Sequence, residues 1–388
     1  MKRAICLLAG CCLFWGCAPA PQSVDPGTSP PSVVWKHQTG GELWAPLELE
    51  EGVLYFGNDD GTFFALDTAT REPRWQFGTA GRIRSAAEIA GGMVLFASDD
   101  GFLYALERES GEERWRFDLG SAELERTLPA AGPPYEYDYL HSSPTLQDGV
   151  IYIGSADGNL YAVDLATGHE RWRFATGDRI RSTPTVSGGA VYVGSWDGHL
   201  YAVGAATGEE LWRFDTGNRV QGSPALAAGG IIIGSRAAKL FGLNAETGEL
   251  EWTHVHEDGS WVESSPVVWG DVVYIGSSDA LKLFAFDASS GQERWQFETG
   301  GWSWGTPLVT DDTVYIGGLS AYPYYFEGVD LVAGFHAVDR QRGEERWRMT
   351  PEAIEGYVTG GVFSSPRISD GIVYVAALDG LIYAIEES

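Results

Sequence analysis

The segment SSPTLQDGVIYIGSADGNLYAVDLATGHERWRFATG, residues 142–177, decides the fold, because most of the chain repeats it. One tryptophan recurs in every copy, and its positions are Trp35, Trp75, Trp115, Trp172, Trp212, Trp252, Trp295 and Trp347. The intervals are 40, 40, 57, 40, 40, 43 and 52 residues, which is a period of 40 with additions at three joints. A fixed period of this length is typical of a repeat architecture. The tryptophans therefore predict eight copies in one array.

Each copy is predicted to contain four short strands. In residues 142–177 the strands are SSPTL, VIYIGS, LYAVD and ERWRFATG, separated by Asp148-Gly149, Asp157-Gly158 and Thr167-Gly168. Asp-Gly between apolar runs is a strong hairpin signal, because glycine adopts positive φ without a steric penalty. Four-stranded antiparallel sheets repeated radially are the blades of a β-propeller. We assign the recurring tryptophan to packing between blades, since it is present whatever the local loop contains.

The two ends of the array predict how the ring closes. The segment VVWKHQTG, residues 33–40, matches only a fourth strand, whereas the last unit, residues 364–387, has the first three strands and no tryptophan. The N-terminal strand is therefore expected to complete the C-terminal blade, which removes the exposed edges of an open ring. The sequence thus predicts an all-β, eight-bladed propeller over residues 33–388.

Residues 1–17 are predicted to be a lipoprotein signal peptide. Lys2 and Arg3 precede an apolar run from residue 4 to 15, which is too short to span a bilayer. Both Cys11 and Cys17 follow a glycine, as in a bacterial lipobox, and we favour Cys17 for lipidation because it leaves a signal of normal length. Lipidation at Cys11 and an ordinary cleaved signal are the alternatives. The Pro/Ser-rich residues 18–32 are expected to form an extended tether.

Composition excludes several classes of function. The chain carries 54 acidic and 26 basic residues, a net charge of −28, which disfavours nucleic acid and anionic lipid surfaces as partners. All four cysteines lie within residues 1–17, so a mature protein starting at Cys17 has no thiolate nucleophile or cysteine metal site in its folded body. Phosphate-loop, HExxH and nucleophile-elbow motifs are absent from the sequence.

The repeat also resembles a known family. The pattern A-x-D-x-x-T-G-x-x-x-W, present at Ala162, Asp164, Thr167, Gly168 and Trp172, is similar to the tryptophan-docking repeat of pyrroloquinoline-quinone (PQQ) propellers. The resemblance covers essentially all of residues 33–388. It implies an eight-bladed fold more specifically than it implies a function.

Two branches of that superfamily are relevant. Quinoprotein alcohol dehydrogenases bind PQQ and calcium on the propeller axis, use an aspartate base, and many carry a vicinal cysteine disulfide, for which the predicted propeller, residues 33–388, has no cysteines. The BamB lipoproteins of the outer-membrane β-barrel assembly machinery are similar in length, blade number and lipidated N-terminus, and are not enzymes. The resemblance to BamB implies a monomeric, periplasm-facing lipoprotein scaffold for protein partners, without cofactor or metal. A quinoprotein dehydrogenase, or a propeller that binds a carboxylate or sugar, is the alternative.

Three long additions are expected on one face, because second-to-third and fourth-to-first loops share a face. They are residues 121–141, 319–331 and 350–362. Clustered aromatic loop residues are typical of a binding face; the alternative is that the loops only pack on each other. The predicted partner-binding residues are Tyr135, Tyr137, Tyr139, Tyr322, Tyr324, Tyr325 and Phe326.

The same face carries the mouth of the central channel. The residues three positions before each strand-one proline, or Ala87 in the second copy, differ between copies; these entrance residues are Leu43, Arg84, His141, Arg181, Gln221, Glu263, Trp304 and Phe363. Two positions earlier stand Arg82, Tyr139, Arg179, Arg219, Trp261 and Trp302. The arginines could hold a carboxylate or an acidic peptide, and Trp302 with Trp304 could stack a flat ligand or a sugar. A variable solvated rim is the alternative.

One histidine cluster could be interpreted as a metal site. His254, His256, Glu257 and Asp258 combine suitable ligand types, and alternating histidines share one side of a strand. However, His254 occupies the position of Phe174 and Phe214 in sister copies. We therefore expect His254 to pack and predict no metal.

Overall fold

The computed structural model describes residues 31–120, 138–139, 141–322 and 328–387, and within them all regular structure is β-strand. No helix in this part of the chain is long and apolar enough to cross a membrane. The predicted signal peptide and most of the predicted tether lie outside the described residues.

Thirty-three strands are arranged as eight antiparallel sheets. The first two blades contain β2 (Glu48–Glu50), β3 (Val53–Gly57), β4 (Thr62–Asp67), β5 (Pro73–Gly78), and β6 (Glu88–Ala90), β7 (Met93–Ala97), β8 (Phe102–Glu107), β9 (Glu113–Asp118). Blades three and four contain β10 (Thr145–Gln147), β11 (Val150–Gly154), β12 (Asn159–Asp164), β13 (Glu170–Ala175), and β14 (Thr185–Ser187), β15 (Ala190–Gly194), β16 (His199–Gly204), β17 (Glu210–Asp215).

The remaining blades follow the same order. Blades five and six contain β18 (Ala225–Ala227), β19 (Gly230–Ser235), β20 (Lys239–Asn244), β21 (Leu250–Val255), and β22 (Val267–Trp269), β23 (Val272–Gly276), β24 (Lys282–Asp287), β25 (Glu293–Glu298). Blades seven and eight contain β26 (Leu308–Val309), β27 (Thr313–Ala321), β28 (Gly334–Asp339), β29 (Glu345–Met349), with β30 (Val358–Gly361) added, and β31 (Arg367–Ser369), β32 (Ile372–Ala376), β33 (Leu381–Glu386), β1 (Val33–Gln38).

The ring closes as predicted. Strand β1 pairs antiparallel with β33, with Lys36 opposite Tyr383 and Gln38 opposite Leu381, so the N-terminal strand supplies the fourth strand of blade eight. The prediction of an all-β, eight-bladed propeller closed in this way is confirmed.

The burial of each strand follows its position in the blade. First strands contact the first strands of neighbouring blades around the axis. Second and third strands pack against those of the next blade. Strand β11 is accordingly buried at all five positions, whereas the outermost strand β13 alternates between exposed and half-buried residues. This explains why second strands have continuous apolar sequences and fourth strands alternate.

Each blade joins the next through one hydrophobic cluster and, at most joints, through the recurring tryptophan. In blade three the Trp172 indole N–H donates to the Ala205 carbonyl of blade four at 3.0 Å. The equivalent bonds run from Trp75 to Arg108, Trp115 to Leu165, Trp212 to Ala245, Trp252 to Ala288 and Trp295 to Arg340. These contacts show that the tryptophans hold neighbouring blades together.

Candidate functional site

The entrance residues lie at the inner ends of the blades and are buried. All eight are between 0% and 8% exposed, charged members included. A solvated rim therefore does not describe these positions. Of the residues two positions earlier, Tyr139 and Trp302 are also buried, whereas Arg82 is exposed.

Five aromatic rings fill the channel mouth, and we call them the aromatic plug: Trp44, Tyr139, Trp302, Trp304 and Phe363. Trp44 stacks on Tyr139 with ring centroids 4.5 Å apart and planes 7° apart, and Trp302 stacks on Trp304 at 4.6 Å and 11°. Tyr139 lies 5.3 Å from Trp304, which joins the two stacks. Blades one, seven and eight and the loop before blade three thus meet through these buried rings.

The plug leaves little room for a flat cofactor. Each of its rings is at most 4% exposed, and their faces are turned to other rings of the chain. A planar quinone could stack on Trp302 or Trp304 only by displacing a neighbouring ring. Burial also raises the pKa of the Tyr139 hydroxyl well above its usual value, which keeps that group neutral.

Arg84 is held by a carboxylate of the preceding blade. Its guanidinium makes two bonds to Asp59, at 2.8 and 2.5 Å, and lies 5.0 Å from the Trp44 ring. Arg82 reaches the same carboxylate at 3.6 Å from a more exposed position. Asp59 lies between the second and third strands of blade one, at the turn equivalent to Asp157-Gly158, which the sequence predicts only as a hairpin connection.

Asp138 engages two further predicted arginines. Its side chain is 0% exposed and accepts bonds from Arg179 at 2.9 Å and from Arg181 at 2.6 Å. A charge buried this deeply needs compensation of this kind. Asp138 and Tyr139 are adjacent in the first loop addition. This addition therefore supplies both the carboxylate that binds Arg179 and Arg181 and one ring of the aromatic plug.

A third buried pair lies on the far side of the mouth. Arg236 donates to Glu263 at 2.6 Å and to Gln221 at 3.2 Å, and its guanidinium lies 4.5 Å from the Trp261 ring. Burial raises the pKa of the Glu263 carboxyl, and the Arg236 charge opposes that shift.

Trp196 lies beside these charges. The guanidinium of Arg219 lies 4.7 Å from its ring and that of Arg179 lies 5.7 Å from it. The predicted arginines therefore contact carboxylates or rings of the chain itself.

Five residues of the mouth were missed by sequence reasoning: Trp44, Asp59, Asp138, Trp196 and Arg236. Trp44 stands where the other copies have serine or glycine, and a further signal exists for three of the others. Asp59, Trp196 and Arg236 all occupy the first position of the second-to-third turn, where Asp99, Ala156, Ser278 and Leu378 stand in other copies. This position varies between copies as the entrance positions do, so the same comparison would have identified it. No such comparison is possible for Asp138, which lies in an addition without sister copies.

The three loop additions meet on the predicted face. Strand β30, from the third addition, pairs with the end of β27, which enters the second, and Ala321 lies opposite Val358. Tyr139, from the first addition, belongs to the same cluster as Leu319 and Val358. Tyr322 follows β27 and is 74% exposed. Tyr135, Tyr137, Tyr324, Tyr325 and Phe326 lie outside the described residues.

His254 and His256 belong to blade five and face aromatic side chains of blade six. His254 lies 4.5 Å from the Phe286 ring and His256 lies 4.8 Å from the Phe284 ring. Burial lowers the pKa of His256 to about 4. Across residues 31–120, 138–139, 141–322 and 328–387, no group of three or more His, Cys, Asp or Glu side chains is arranged to hold a metal ion.

Comparisons with known proteins agree with this architecture. A sequence model of the family "Outer membrane protein assembly factor BamB" matches residues 24–140, 104–317 and 282–388. A search of curated protein sequences found no significant match.

Three solved structures share the fold. BamB from Moraxella catarrhalis superposes with a TM-score of 0.68 at 17% identity, covering 92% of this chain and 97% of that one. The computationally designed Ika8 protein gives 0.69 at 16% identity, with coverages of 90% and 97%. The quinohemoprotein alcohol dehydrogenase from Comamonas testosteroni gives 0.69 at 15% identity, with coverages of 92% and 76%.

Proposed function

This chain belongs to the outer membrane protein assembly factor BamB family, and on that basis we propose that it is a non-catalytic scaffold that binds protein partners through its loop face. The loop face consists of the described parts of the three additions around the aromatic plug. The observation that carries the proposal is that the additions converge on this single face.

The loop face combines a rigid base with exposed apolar side chains. Its base is the buried plug together with the β27–β30 pair, whose backbones are hydrogen-bonded. Tyr322 projects from this base at 74% exposure, and Val329 and Val332 nearby are also exposed. Aromatic side chains on a rigid support are favoured at protein interfaces, because little conformational entropy is lost when they bind.

The charges at the mouth fit a scaffold better than a ligand-binding pocket. Arg84, Arg181 and Arg236 are buried and already bonded to carboxylates of the chain. An external carboxylate would have to compete with these internal partners at close range. We infer that the pairs fix neighbouring blades to one another beneath the loop face.

Co-purification from detergent-solubilised envelopes tests the proposal. The lipidated full-length protein is expected to recover outer-membrane assembly components, and Tyr322→Ser is expected to reduce that recovery several-fold. Trp269→Ser is the matched control, because Trp269 is an exposed ring on the opposite face. Equal recovery by all three proteins would contradict binding through the loop face.

A spectroscopic and activity test addresses the enzymatic alternative. The scaffold proposal expects no dye-linked alcohol oxidation after incubation with PQQ and calcium. A quinone absorbance band that stays with the protein, together with alcohol oxidation, would overturn it.

We further propose that the protein is anchored at the outer membrane by a lipid on Cys17 and faces the periplasm, with residues 18–32 as the tether. Metabolic labelling with palmitate is expected to mark the wild-type protein and Cys11→Ser, but not Cys17→Ser. Labelling that is lost only in Cys11→Ser would move the lipid site to Cys11.

A further inference from the structure

A row of three side chains recurs across the blades. In blades three and four it reads Tyr-Ala-Trp across the second, third and fourth strands, with Tyr152 opposite Ala162 and Ala162 opposite Trp172. The Tyr152 hydroxyl donates at 3.1 Å to the Ala205 carbonyl, which also accepts the Trp172 indole N–H. The Ala245 carbonyl likewise accepts both Tyr192 and Trp212. One carbonyl of the next blade therefore receives two donors.

Blade five lacks the tyrosine, and the residues around that position are smaller than in the other blades. Its row reads Ile232, Gly242 and Trp252, so isoleucine replaces tyrosine and glycine replaces alanine. Gly230, which shares a strand face with Ile232, stands where blade three has Val150. The Ala288 carbonyl accepts the Trp252 N–H at 3.1 Å, and Ile232 offers no second donor. An acceptor that has two donors in blades three and four thus has one described donor here.

The result is a cavity of about 190 Å³ between blades five and six. Its walls include Gly230, Ile232, Leu243, Trp252 and Ala288. An apolar cavity of about 150 Å³ is enough to bind a benzene ring. The cavity lies on the face opposite the loop face, among first-to-second and third-to-fourth turns.

Blade two shows that loss of the tyrosine alone is compensated elsewhere in the ring. Leu95 occupies the tyrosine position there, but Met93 and Leu165 are large and pack into the same cluster. The corresponding positions around Ile232 are Gly230 and Ala288. The cavity therefore arises from several small residues that occur together in blade five.

We propose that this cavity binds a small para-substituted phenol, which replaces the missing tyrosine side chain. The ring would lie against Trp252 and Ile232, and the hydroxyl would donate to the Ala288 carbonyl. Glu251 and Asp271 also line the cavity. The Asp271 carboxylate is paired with Arg294 at 2.6 Å, whereas the negative charge of Glu251 disfavours an anionic ligand. The ligand class is therefore a neutral or cationic phenol.

The probe for this site is p-cresol, which is the tyrosine side chain cut at Cβ. Saturation-transfer NMR titration of the full chain is expected to show binding that is about two- to twelvefold tighter than that of toluene, since a neutral hydrogen bond contributes about 0.5–1.5 kcal/mol. The anion 4-hydroxybenzoate is expected to bind at least fivefold more weakly than p-cresol. Equal binding of all three compounds would overturn the proposed ligand class.

Two variants locate the site. Ile232→Tyr restores the residue of blades three and four and is expected to weaken p-cresol binding at least tenfold while raising the thermal unfolding midpoint. Gly230→Val narrows the same cavity with the residue of blade three and is expected to weaken binding as well. Undiminished binding in folded samples of either variant would overturn the assignment. Both variants leave the loop face intact, so this result is independent of partner binding.

Discussion

Gly168 shows how a single residue couples two blades. It has a φ of +69°, a conformation that L side chains rarely adopt, and a Cβ built on it would lie 2.6 Å from the Trp115 ring of the preceding blade. The Trp115 indole N–H donates to the Leu165 carbonyl of the same turn at 3.1 Å. The glycine of the repeat therefore has two roles: it allows the backbone turn, and its lack of a side chain leaves space for the indole.

Gly168→Ala is expected to destabilise the protein by about 2–5 kcal/mol. Backbone strain at positive φ costs about 1–2 kcal/mol, and overpacking against the indole adds about 1–3 kcal/mol. Gly149→Ala is the matched control, since Gly149 lies in the same blade with a φ of +75° and no atom within 4 Å of a built Cβ. Urea denaturation of both variants measures the difference, and equal midpoints would show that the indole contact contributes nothing.

His256 makes stability depend on pH. Burial is the main cause that lowers its pKa from 6.5 to about 4, the His254 charge adds to the shift, and Asp258 opposes it. Between these two values the unfolded chain binds a proton that the folded chain does not, so this contribution to stability is lost as the pH falls from about 6.5 to about 4.

His256→Thr is expected to remove about 2–3 kcal/mol of that pH dependence, since one pKa unit corresponds to about 1.4 kcal/mol. Threonine is the sister residue in blades three and four, where Thr216 bonds to the Gly198 carbonyl at 2.8 Å. Chemical denaturation between pH 7 and pH 4 provides the comparison. Parallel stability curves for variant and wild type would contradict this role of His256.

At the scale of strands, the ring joints are not equivalent. At six joints the ring of the recurring tryptophan packs against a glycine of the next blade; the first pair is Trp75 and Gly111 and the last is Trp295 and Gly343. The joint between blades eight and one differs. Trp35 is the tryptophan of blade eight, and in the third-to-fourth turn of blade one Arg71, with a φ of +65°, replaces the glycine found at those six joints. Blade eight has no third-to-fourth turn of its own, because its fourth strand is β1. Closure therefore depends more heavily on the pairing of β1 with β33.

Removal of β1 is expected to open the ring. A chain that begins at Thr39 exposes the backbone edge of β33, and an unpaired edge promotes association between chains. A chain that begins at Pro31 retains β1 and is the control. Size-exclusion chromatography with light scattering is expected to show a monomer for the control and larger species for the truncated chain. A monomeric truncated chain with an unchanged unfolding midpoint would contradict this account.

The strands that recur in every blade could be predicted from the sequence, but β30, which belongs to a loop addition, could not. Blade strands recur, so the Asp-Gly turns and apolar runs of one copy identify those of the others. Strand β30 has the sequence Val-Thr-Gly-Gly and forms because it meets the extension of β27. A pairing between two insertions has no sister copy, and its glycines give little local preference for a strand.

At the scale of the whole molecule, the sequence predicted which residues lie at the channel mouth. It did not predict that these residues are buried and paired with other side chains of the protein. Variation between copies identified Arg84, Arg181 and Trp304 as individual positions, and the structure brings them to one end of the channel. That they are buried and paired depends on Asp59, Asp138 and Tyr139, which reach the mouth from turns and from one addition. Such contacts form between segments that are distant in the sequence and that the closed ring brings together. A comparison of the repeats one by one does not predict them.

The channel mouth is buried, so we place the proposed partner binding on the loop face that surrounds it. Described side chains at the channel entrance are largely buried, whereas Tyr322 stands 74% exposed beside the plug. We propose that protein partners bind this side of the ring and not the other. Trp269 on the opposite side provides an internal comparison of similar chemistry.

Site-specific photo-crosslinking in cell envelopes tests this claim most directly. A photoreactive phenylalanine derivative is placed at Tyr322 in one sample and at Trp269 in the other, and adducts are identified by mass spectrometry. We expect position 322 to yield a discrete adduct with an outer-membrane assembly component and position 269 to yield none. Adducts from position 269 alone, or from neither position, would contradict a scaffold that binds through its loop face.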